Sequence, residues 1–120
     1  MRYLLLIYGD ESRYGQLSEE ESQADMQRWF DYTEEMRSAG VTSAGEALQP
    51  TATATSVRSG GDGGEPLVTD GPFAETKEQL GGYYLLEVPD LDEAIKWANK
   101  CPGVAYGTIE LRPIVEFEEG

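Results

Sequence analysis

The stretch that decides the fold runs Gly81-Gly82-Tyr83-Tyr84-Leu85-Leu86-Glu87-Val88-Pro89-Asp90-Leu91-Asp92-Glu93. Two glycines precede an apolar run rich in aromatic residues, and a proline ends it, which is typical of a β-strand. Asp90 then stands three residues before Glu93, the spacing that caps the start of a helix. The stretch therefore predicts a strand over residues 83–88 and a helix directly after it.

Downstream of this stretch, apolar residues recur at helical spacing as far as Pro102-Gly103, where we expect the helix to end. The final strand is predicted over residues 108–117. Cys101, at the end of the helical stripe, is expected to be a small buried hydrophobic residue. The expected buried stripe of this helix consists of Leu91, Ala94, Ile95 and Ala98.

Upstream, residues 2–8 form an apolar run that ends at Gly9 and predicts the first strand. Ser18 and Glu21 have the spacing of a capping box, so a helix is expected to begin there. Gly40 is expected to end that helix as a left-handed cap. The apolar residues expected to face the core are Met26, Trp29, Phe30, Thr33 and Met36.

Between these parts, residues 41–48 predict a second core strand that Pro50 interrupts. Residues 51–58 alternate as a strand does, but their side chains are small, so we expect one arm of an edge hairpin. Its turn is the glycine cluster at residues 60–64, and its return arm is residues 65–69. Residues 75–80 predict a single helical turn.

Without the hairpin, the order of elements is strand, helix, strand, strand, helix, strand. This order predicts a ferredoxin-like α+β fold, with two helices on one face of a four-stranded antiparallel sheet. The other face would carry residues such as Leu6, Tyr8, Tyr84 and Leu86 or their neighbours, and the sequence leaves the strand parity open. We therefore expect a homodimer that buries sheet against sheet.

The 120 residues suit one domain, and 39% of them are hydrophobic, but no apolar run is long enough to span a membrane. With 9 basic and 23 acidic residues the net charge is −14. Such a charge repels nucleic acid and anionic membrane, so neither is an expected partner. The acidic surface favours solubility or, alternatively, a basic partner. The single cysteine predicts a reducing, cytoplasmic location.

The run Asp70-Gly71-Pro72-Phe73-Ala74-Glu75-Thr76-Lys77-Glu78-Gln79-Leu80-Gly81-Gly82-Tyr83-Tyr84 resembles the hallmark segment of YCII-related proteins of the DGPF type. Residues 2–9, 48–53 and 110–113 are similar to the same family, so the resemblance covers nearly the whole chain. It implies a single YCII-related domain over residues 1–120. It also implies that two ferredoxin-like chains pair as a dimeric α/β barrel, with pockets between sheet and loops.

About chemistry the resemblance implies less. Some wider YCII relatives are lyase-like or dehydrochlorinase-like enzymes that use a His–Asp pair, but this chain contains no histidine. The corresponding position holds Trp29 or a neighbour, so that mechanism does not transfer. DGPF relatives are often encoded beside extracytoplasmic-function sigma factors. Two functions therefore stay open: a cofactor-independent lyase- or isomerase-like enzyme, and a non-catalytic ligand-binding or regulatory module.

Asp70 is the first candidate catalytic residue. A carboxylate at a strand end, fixed by a Gly-Pro turn, is held in place, and its surroundings can tune it for general acid–base work. The alternative is structural, because an Asp before Gly often hydrogen-bonds its own turn.

Three charged residues are candidates for binding a small-molecule substrate. Lys77 lies seven residues after Asp70 and could pair with it or hold an anionic group, or it could simply be solvated. Glu46 interrupts a small, neutral strand and needs a partner or water, and Arg112 in the last strand is the expected match. That pair would be either a structural ion pair or a wall of the site.

Tyr83, Tyr84 and Tyr8 are the aromatic candidates for the pocket. Consecutive strand residues point to opposite faces, so at most one of Tyr83 and Tyr84 lines a given pocket. Packing in the core or at the dimer interface is the alternative for all three. No cofactor is predicted, and without histidine a zinc or iron site is not expected.

Overall fold

A computed structural model describes residues 1–117 of the chain. The protein is α+β, with one four-stranded antiparallel sheet, a separate two-stranded ribbon and two main helices. The elements are β1 (Arg2–Gly9), α1 (Glu19–Ser38), β2 (Thr42–Ala47), β3 (Thr55–Arg58), β4 (Leu67–Asp70), β5 (Gln79–Glu87), α2 (Leu91–Lys100) and β6 (Thr108–Pro113). Short 3-10 turns lie at Glu11–Gln16, Thr51–Thr53 and Pro102–Ala105.

The main sheet has the strand order β2-β5-β1-β6. In β1, at the centre, Leu5 lies opposite Tyr84 of β5 and Leu111 of β6. The register between β1 and β5 shifts at Gly81, because Ile7 pairs with Gly82 and the next residue of β1 pairs with Leu80. This bulge adds twist where β5 begins, next to the end of β1.

The predicted helix ends are confirmed. The Ser18 hydroxyl accepts from the Glu21 backbone N–H at 3.1 Å, and the Glu21 carboxylate accepts from the Ser18 N–H at 3.0 Å. The carboxylate of Asp90 caps α2 by accepting from the Glu93 N–H at 2.9 Å. Gly40, with φ 71°, follows α1 in the left-handed conformation that glycine adopts without strain.

Both helices pack on the same face of the sheet, where the core lies. Leu5 of β1, Met36 of α1 and Leu86 of β5 are completely buried there, and Cys101 at the end of α2 is buried as predicted. The Tyr32 hydroxyl of α1 donates to the Trp97 carbonyl of α2 at 2.7 Å, which ties the two helices together. The opposite face carries no helix of residues 1–117.

The predicted buried stripes of the helices are wrong in part. Met26 and Phe30 of α1 are 71% and 61% exposed, and the buried positions are Asp25, Tyr32 and Met36 instead. In α2, Ala94 is buried, but Leu91 and Ile95 are 48% and 43% exposed. The real stripe of α1 is turned around the helix because Asp25 is ion-paired and can be buried at 4% exposure.

The ribbon of β3 and β4 confirms the predicted hairpin, with Val57 opposite Val68 and Thr55 opposite Asp70. Its first arm begins at Thr55 rather than at residue 51, and it is separate from the main sheet. Both valines are 64% exposed, and neither strand contains a buried residue. The helical turn predicted over residues 75–80 is wrong, because this stretch is irregular until β5 begins at Gln79. Among residues 1–117, no helix combines the length and the apolar character needed to cross a membrane.

Candidate functional site

A cleft of about 290 Å³ lies between α1 and the half of the sheet formed by β2, β5 and the end of β1. Its walls are mostly aromatic and small side chains, with the turn after β1 on one side. A concave, largely apolar pocket with a few polar groups is the usual form of a small-molecule site. The lining residues used below are Tyr14, Trp29, Thr33, Arg37, Tyr84 and Tyr106.

One wall of the cleft is a single stripe of α1. Trp29, Thr33 and Arg37 are spaced by four residues, so the helix presents them one above another on one face. Trp29 and Thr33 are half-buried, whereas the Arg37 side chain is 66% exposed and lies 3.5 Å from the Glu34 carboxylate. The stripe therefore runs from a protected aromatic end to a charged, solvated end.

Hydrogen bonds fix two tyrosines against this stripe. The Trp29 Nε1–H donates to the Tyr106 hydroxyl at 3.1 Å, and Thr33 Oγ1 lies 2.6 Å from the Tyr84 hydroxyl. Burial raises the pKa of Tyr106 to about 12 and also raises the pKa of Tyr84. Both phenols therefore keep their protons at neutral pH.

Strand β2, at the edge of the sheet, forms the floor of the cleft. Gly45 of β2 lies against the Tyr84 ring: an added Cβ would come within 2.5 Å of Tyr84 Cδ1 and 2.9 Å of the Tyr83 carbonyl oxygen. Only a residue without a side chain leaves room for the ring this close to the strand. This close approach sets the position of the Tyr84 ring in the cleft.

Two contacts hold the turn Glu11–Gln16 beside the cleft. The Glu11 carboxylate accepts from the Thr51 N–H at 2.7 Å and from the Thr51 hydroxyl at 2.8 Å. On the other side, the Arg13 guanidinium stacks on the Tyr106 ring at 3.5 Å and lies 3.9 Å from the buried Asp25 carboxylate. The turn is therefore held to the chain on both flanks, and Tyr14 within it lines the cleft.

Of the predicted site residues, the cleft brings together Tyr8, Glu46, Tyr83 and Tyr84. Strand alternation places Tyr84 on the helix-facing side with Leu86, and Tyr83 on the other side. Glu46, opposite Tyr83, also belongs to the other side and is exposed at the sheet edge. Tyr84 is thus the predicted tyrosine whose ring faces the α1 wall.

Asp70 and Lys77 lie outside the cleft. Asp70 ends β4 in the ribbon and is exposed, and within residues 1–117 its carboxylate accepts no hydrogen bond. The turn after it is held by the Gly71 N–H, which donates to the Ala54 carbonyl at 2.6 Å, and by the Ser56 hydroxyl, which donates to the Gly71 carbonyl at 2.7 Å. Lys77 is exposed in the irregular stretch before β5.

The expected ion pair between Glu46 and Arg112 is wrong for a single chain. Glu46 lies in β2 and Arg112 in β6, which are the two opposite edges of the sheet. Arg112 instead pairs with Glu110 of its own strand, with Nη2 at 2.6 Å from Oε2. Neither residue therefore supplies a charge partner for the other within the chain.

Sequence patterns did not indicate Thr33 and Tyr106 as site residues; Trp29 was expected in the core and, by the resemblance, near the position of the relatives' histidine. The spacing of Trp29, Thr33 and Arg37 was a usable signal, since a threonine and an arginine interrupt an otherwise apolar stripe. Tyr106 follows the turn Pro102–Ala105 and carries no local pattern that marks it. Among residues 1–117, no group of three or more Cys, Asp or Glu side chains is placed to hold a metal ion.

Comparison with known proteins identifies the class of the chain. The model of the YCII-related domain matches residues 1–118, and the chain therefore belongs to the YCII-related family. A particular relative is the uncharacterized protein R00369 of Rhizobium meliloti (strain 1021). It is 37% identical over 122 residues, an alignment that covers 100% of this chain and 97% of that protein.

Proposed function

We propose that this chain binds a small molecule in the cleft between α1 and β2, and that it does so as a homodimer. The observation that carries the proposal is the set of half-buried aromatic rings, Trp29, Tyr84 and Tyr106, held by hydrogen bonds around an open volume of about 290 Å³. Aromatic walls with a few fixed polar groups suit a ring compound rather than a metal or a peptide.

A matched pair of variants tests the cleft. Ala47 lies at the cleft on the same side of β2 as Gly45, so Ala47→Trp fills the opening. Ala24→Trp makes the same change on an exposed part of α1 away from the cleft. We expect ring compounds found by ligand-observed NMR to lose binding to Ala47→Trp and to keep it with Ala24→Trp. Equal binding to both variants would contradict the proposed site.

The homodimer is supported by the uncovered face of the sheet. Leu4, Leu6, Tyr83 and Leu85 lie on that face, and none of residues 1–117 covers it as a helix. The accessible surface of the chain is 8655 Å², whereas a compact monomer of 13.2 kDa exposes about 6400 Å². The excess is comparable with the surface that one subunit buries in a dimer.

The sheet order and the placement of both helices on one face support a ferredoxin-like chain, and pairing across the open face would give the dimeric α/β barrel. Light scattering at micromolar concentration is expected to give twice the mass of one chain. Leu6→Arg is expected to give a monomer, while Val104→Arg, at an exposed turn, leaves the mass unchanged. A monomeric wild type, or a dimeric Leu6→Arg variant that stays folded by circular dichroism, would overturn this arrangement.

Acid–base catalysis by Asp70 is the second candidate function. One observation favours it: the Asp70 carboxylate is not used by its own turn, so it is open to a substrate. Lys77 or Arg112 would then orient an anionic group. Asp70→Asn is expected to abolish turnover of a bound compound while Asp62→Asn, at the ribbon tip, does not. A ligand that is bound and never converted would favour the regulatory module, for example within a sigma-factor system.

The buried thiol of Cys101 is the one cysteine of the chain, and it makes no disulfide. A chain without cross-links suits a reducing compartment, and we propose a cytoplasmic location on that ground. Fractionation of cells that carry the native protein checks it.

A further inference from the structure

We propose that the ligand of the cleft is a neutral, planar cyclic amide, whose N–H donates to the Tyr84 hydroxyl oxygen and whose carbonyl accepts from the Tyr106 hydroxyl. This inference rests on the proposed binding function and names its ligand class. It depends on which hydroxyl groups beside Trp29 and Thr33 have a hydrogen atom free to donate.

The direction of the bond between Thr33 and Tyr84 can be assigned. A threonine hydroxyl has one hydrogen, and Thr33 Oγ1 donates it to the Trp29 carbonyl oxygen at 2.9 Å. At its 2.6 Å contact with Tyr84, Thr33 must therefore accept, and Tyr84 must donate. With its only hydrogen committed, the Tyr84 hydroxyl can offer the cleft a lone pair and no proton.

Tyr106 has the opposite character. Its hydroxyl oxygen accepts from the Trp29 Nε1–H at 3.1 Å, and within residues 1–117 its own hydrogen has no acceptor. The Arg13 guanidinium lies over the ring, 3.5 Å from its centroid, and this cation–π contact holds the ring in place. Tyr106 therefore offers the cleft a proton, whereas Tyr84 offers an acceptor.

The side chains of Asp10, Glu11 and Gln79, which line the cleft, are already engaged, whereas Glu46 is exposed at the sheet edge. Glu11 accepts two hydrogen bonds from Thr51, and the Asp10 carboxylate accepts from the Ser12 N–H at 2.9 Å and from its hydroxyl at 2.7 Å. The Gln79 amide oxygen accepts from the Glu11 N–H at 2.9 Å, and its nitrogen donates to the Thr76 carbonyl. The hydroxyls of Tyr84 and Tyr106, which are hydrogen-bonded to Thr33 and Trp29, keep capacity for a ligand at the aromatic end of the α1 stripe.

Charge favours a neutral ligand over a carboxylate. Among residues 1–117, Arg37 is the one cationic residue that lines the cleft; it is largely solvated and lies beside Glu34. Asp10, Glu11 and Glu46 also line the cleft, and the chain as a whole carries −14. An anion would therefore enter against a repulsive field, whereas a neutral ring would not. Because both phenols stay protonated at neutral pH, the donor and the acceptor keep their identities.

Four flat bicyclic probes separate the two hydrogen bonds. 2-Quinolone has both the N–H and the carbonyl, 1-methyl-2-quinolone only the carbonyl, indole only the N–H, and naphthalene neither. A neutral hydrogen bond contributes about 1 kcal/mol, so we expect 2-quinolone to bind the wild type about fivefold more tightly than either single-function probe. Calorimetry at pH 7 measures the affinity of each probe. The NMR chemical shift of the Trp29 indole N–H shows whether the probe binds in the cleft.

The variants then assign each bond to a residue. Tyr84→Phe should remove the advantage of 2-quinolone over 1-methyl-2-quinolone, and Tyr106→Phe should remove its advantage over indole. Tyr3→Phe, a buried tyrosine outside the cleft, is the matched control and should leave both ratios unchanged. Circular dichroism confirms that each variant is folded.

Three outcomes are distinguishable. The ratios above support the cyclic amide. Equal binding of all four probes, blocked by Ala47→Trp, overturns this inference and leaves the binding function intact. If no probe binds at millimolar concentration, both the cyclic amide and a ring-binding cleft are contradicted.

Discussion

The packed body of the molecule and its ribbon are built by opposite means. In the body, Leu5, Met36 and Leu86 are completely buried between the sheet and two helices. In the ribbon, Val57 and Val68 face each other across β3 and β4, yet both are 64% exposed. The body is held by side-chain burial, whereas the ribbon is held by its backbone ladder and by its attachment at the base.

Residues 70–84, the run that resembles the YCII-related family, connect the ribbon to the body. The first half of this run forms the base of the ribbon, where Gly71, with φ 95°, bonds to Ala54 and Ser56, and where Phe73 is 86% exposed. Its second half enters the body as β5. An isolated two-stranded hairpin is marginal in water, so the base contacts are what keep the ribbon in place.

The largest expected effect is in the body. Leu86→Ala leaves a cavity at a site with no exposed surface, and we expect a loss of about 2–5 kcal/mol in the free energy of unfolding. Urea denaturation at a fixed protein concentration measures it. A loss below about 1 kcal/mol would show that the body does not depend on this packing.

The stability of the body should also depend on pH, because the Cys101 thiol is buried in it. Burial raises the pKa of the Cys101 thiol to about 11 from its ordinary value near 9. The folded state holds this proton more tightly than the unfolded state, so its contribution to stability is complete below pH 9 and is lost as pH rises through 11. Cys101→Ala should therefore flatten the fall in stability between pH 9 and 11. Ultraviolet absorbance of a Cys101 thiolate in the folded protein at pH 9 would contradict this prediction.

A smaller effect is expected at the edge of the body. Gly45→Ala places a methyl group against the Tyr84 ring and the Tyr83 carbonyl, and we expect a cost of about 1–3 kcal/mol as the ring is displaced. Gly81→Ala is the control, because its nearest neighbour, the Ile7 carbonyl oxygen, is 3.9 Å away. Equal costs in thermal unfolding would refute the close approach at Gly45.

The smallest effect is expected in the ribbon. Val68→Ala removes two exposed methyl groups and should change the free energy of unfolding by no more than about 0.5 kcal/mol. The same urea assay as for Leu86→Ala applies. A cost near that of Leu86→Ala would break the comparison, because it would mean that the ribbon is buried in solution.

The sequence predicted the parts of the fold that depend on neighbouring residues. The caps at Ser18 and Asp90, the left-handed Gly40 and the β1 and β5 strands each have local chemistry that does not need the rest of the chain. The face of α1 was mispredicted because Asp25 looks polar and Met26 apolar. Two arginines let Asp25 be buried: Arg28, one turn along α1, and Arg13, which lies in a 3-10 turn that no pattern indicated.

The candidate site was less predictable than the fold. Alternation correctly indicated that only one ring of the Tyr83-Tyr84 pair faces α1, and Tyr84 is that ring. The expectation that at most one of the two lines a given pocket is wrong, because both line the cleft at the sheet edge. The pairing of Glu46 with Arg112 failed because chain order does not reveal that β2 and β6 are opposite edges. Tyr106 could not be found, since its role depends on a contact with Trp29 that is 77 residues away in the chain.

Because hydrogen bonds fix the base of the ribbon, its tip is a suitable place to attach a label. The glycine-rich tip at residues 60–64 is exposed and lies at the far end of the paired strands, while the bonds of Gly71 to Ala54 and Ser56 fix the near end. Exposed loop tips of small residues tolerate insertions best. An affinity tag or a fluorophore placed at Asp62 would therefore report on the protein without touching the sheet, the helices or the cleft.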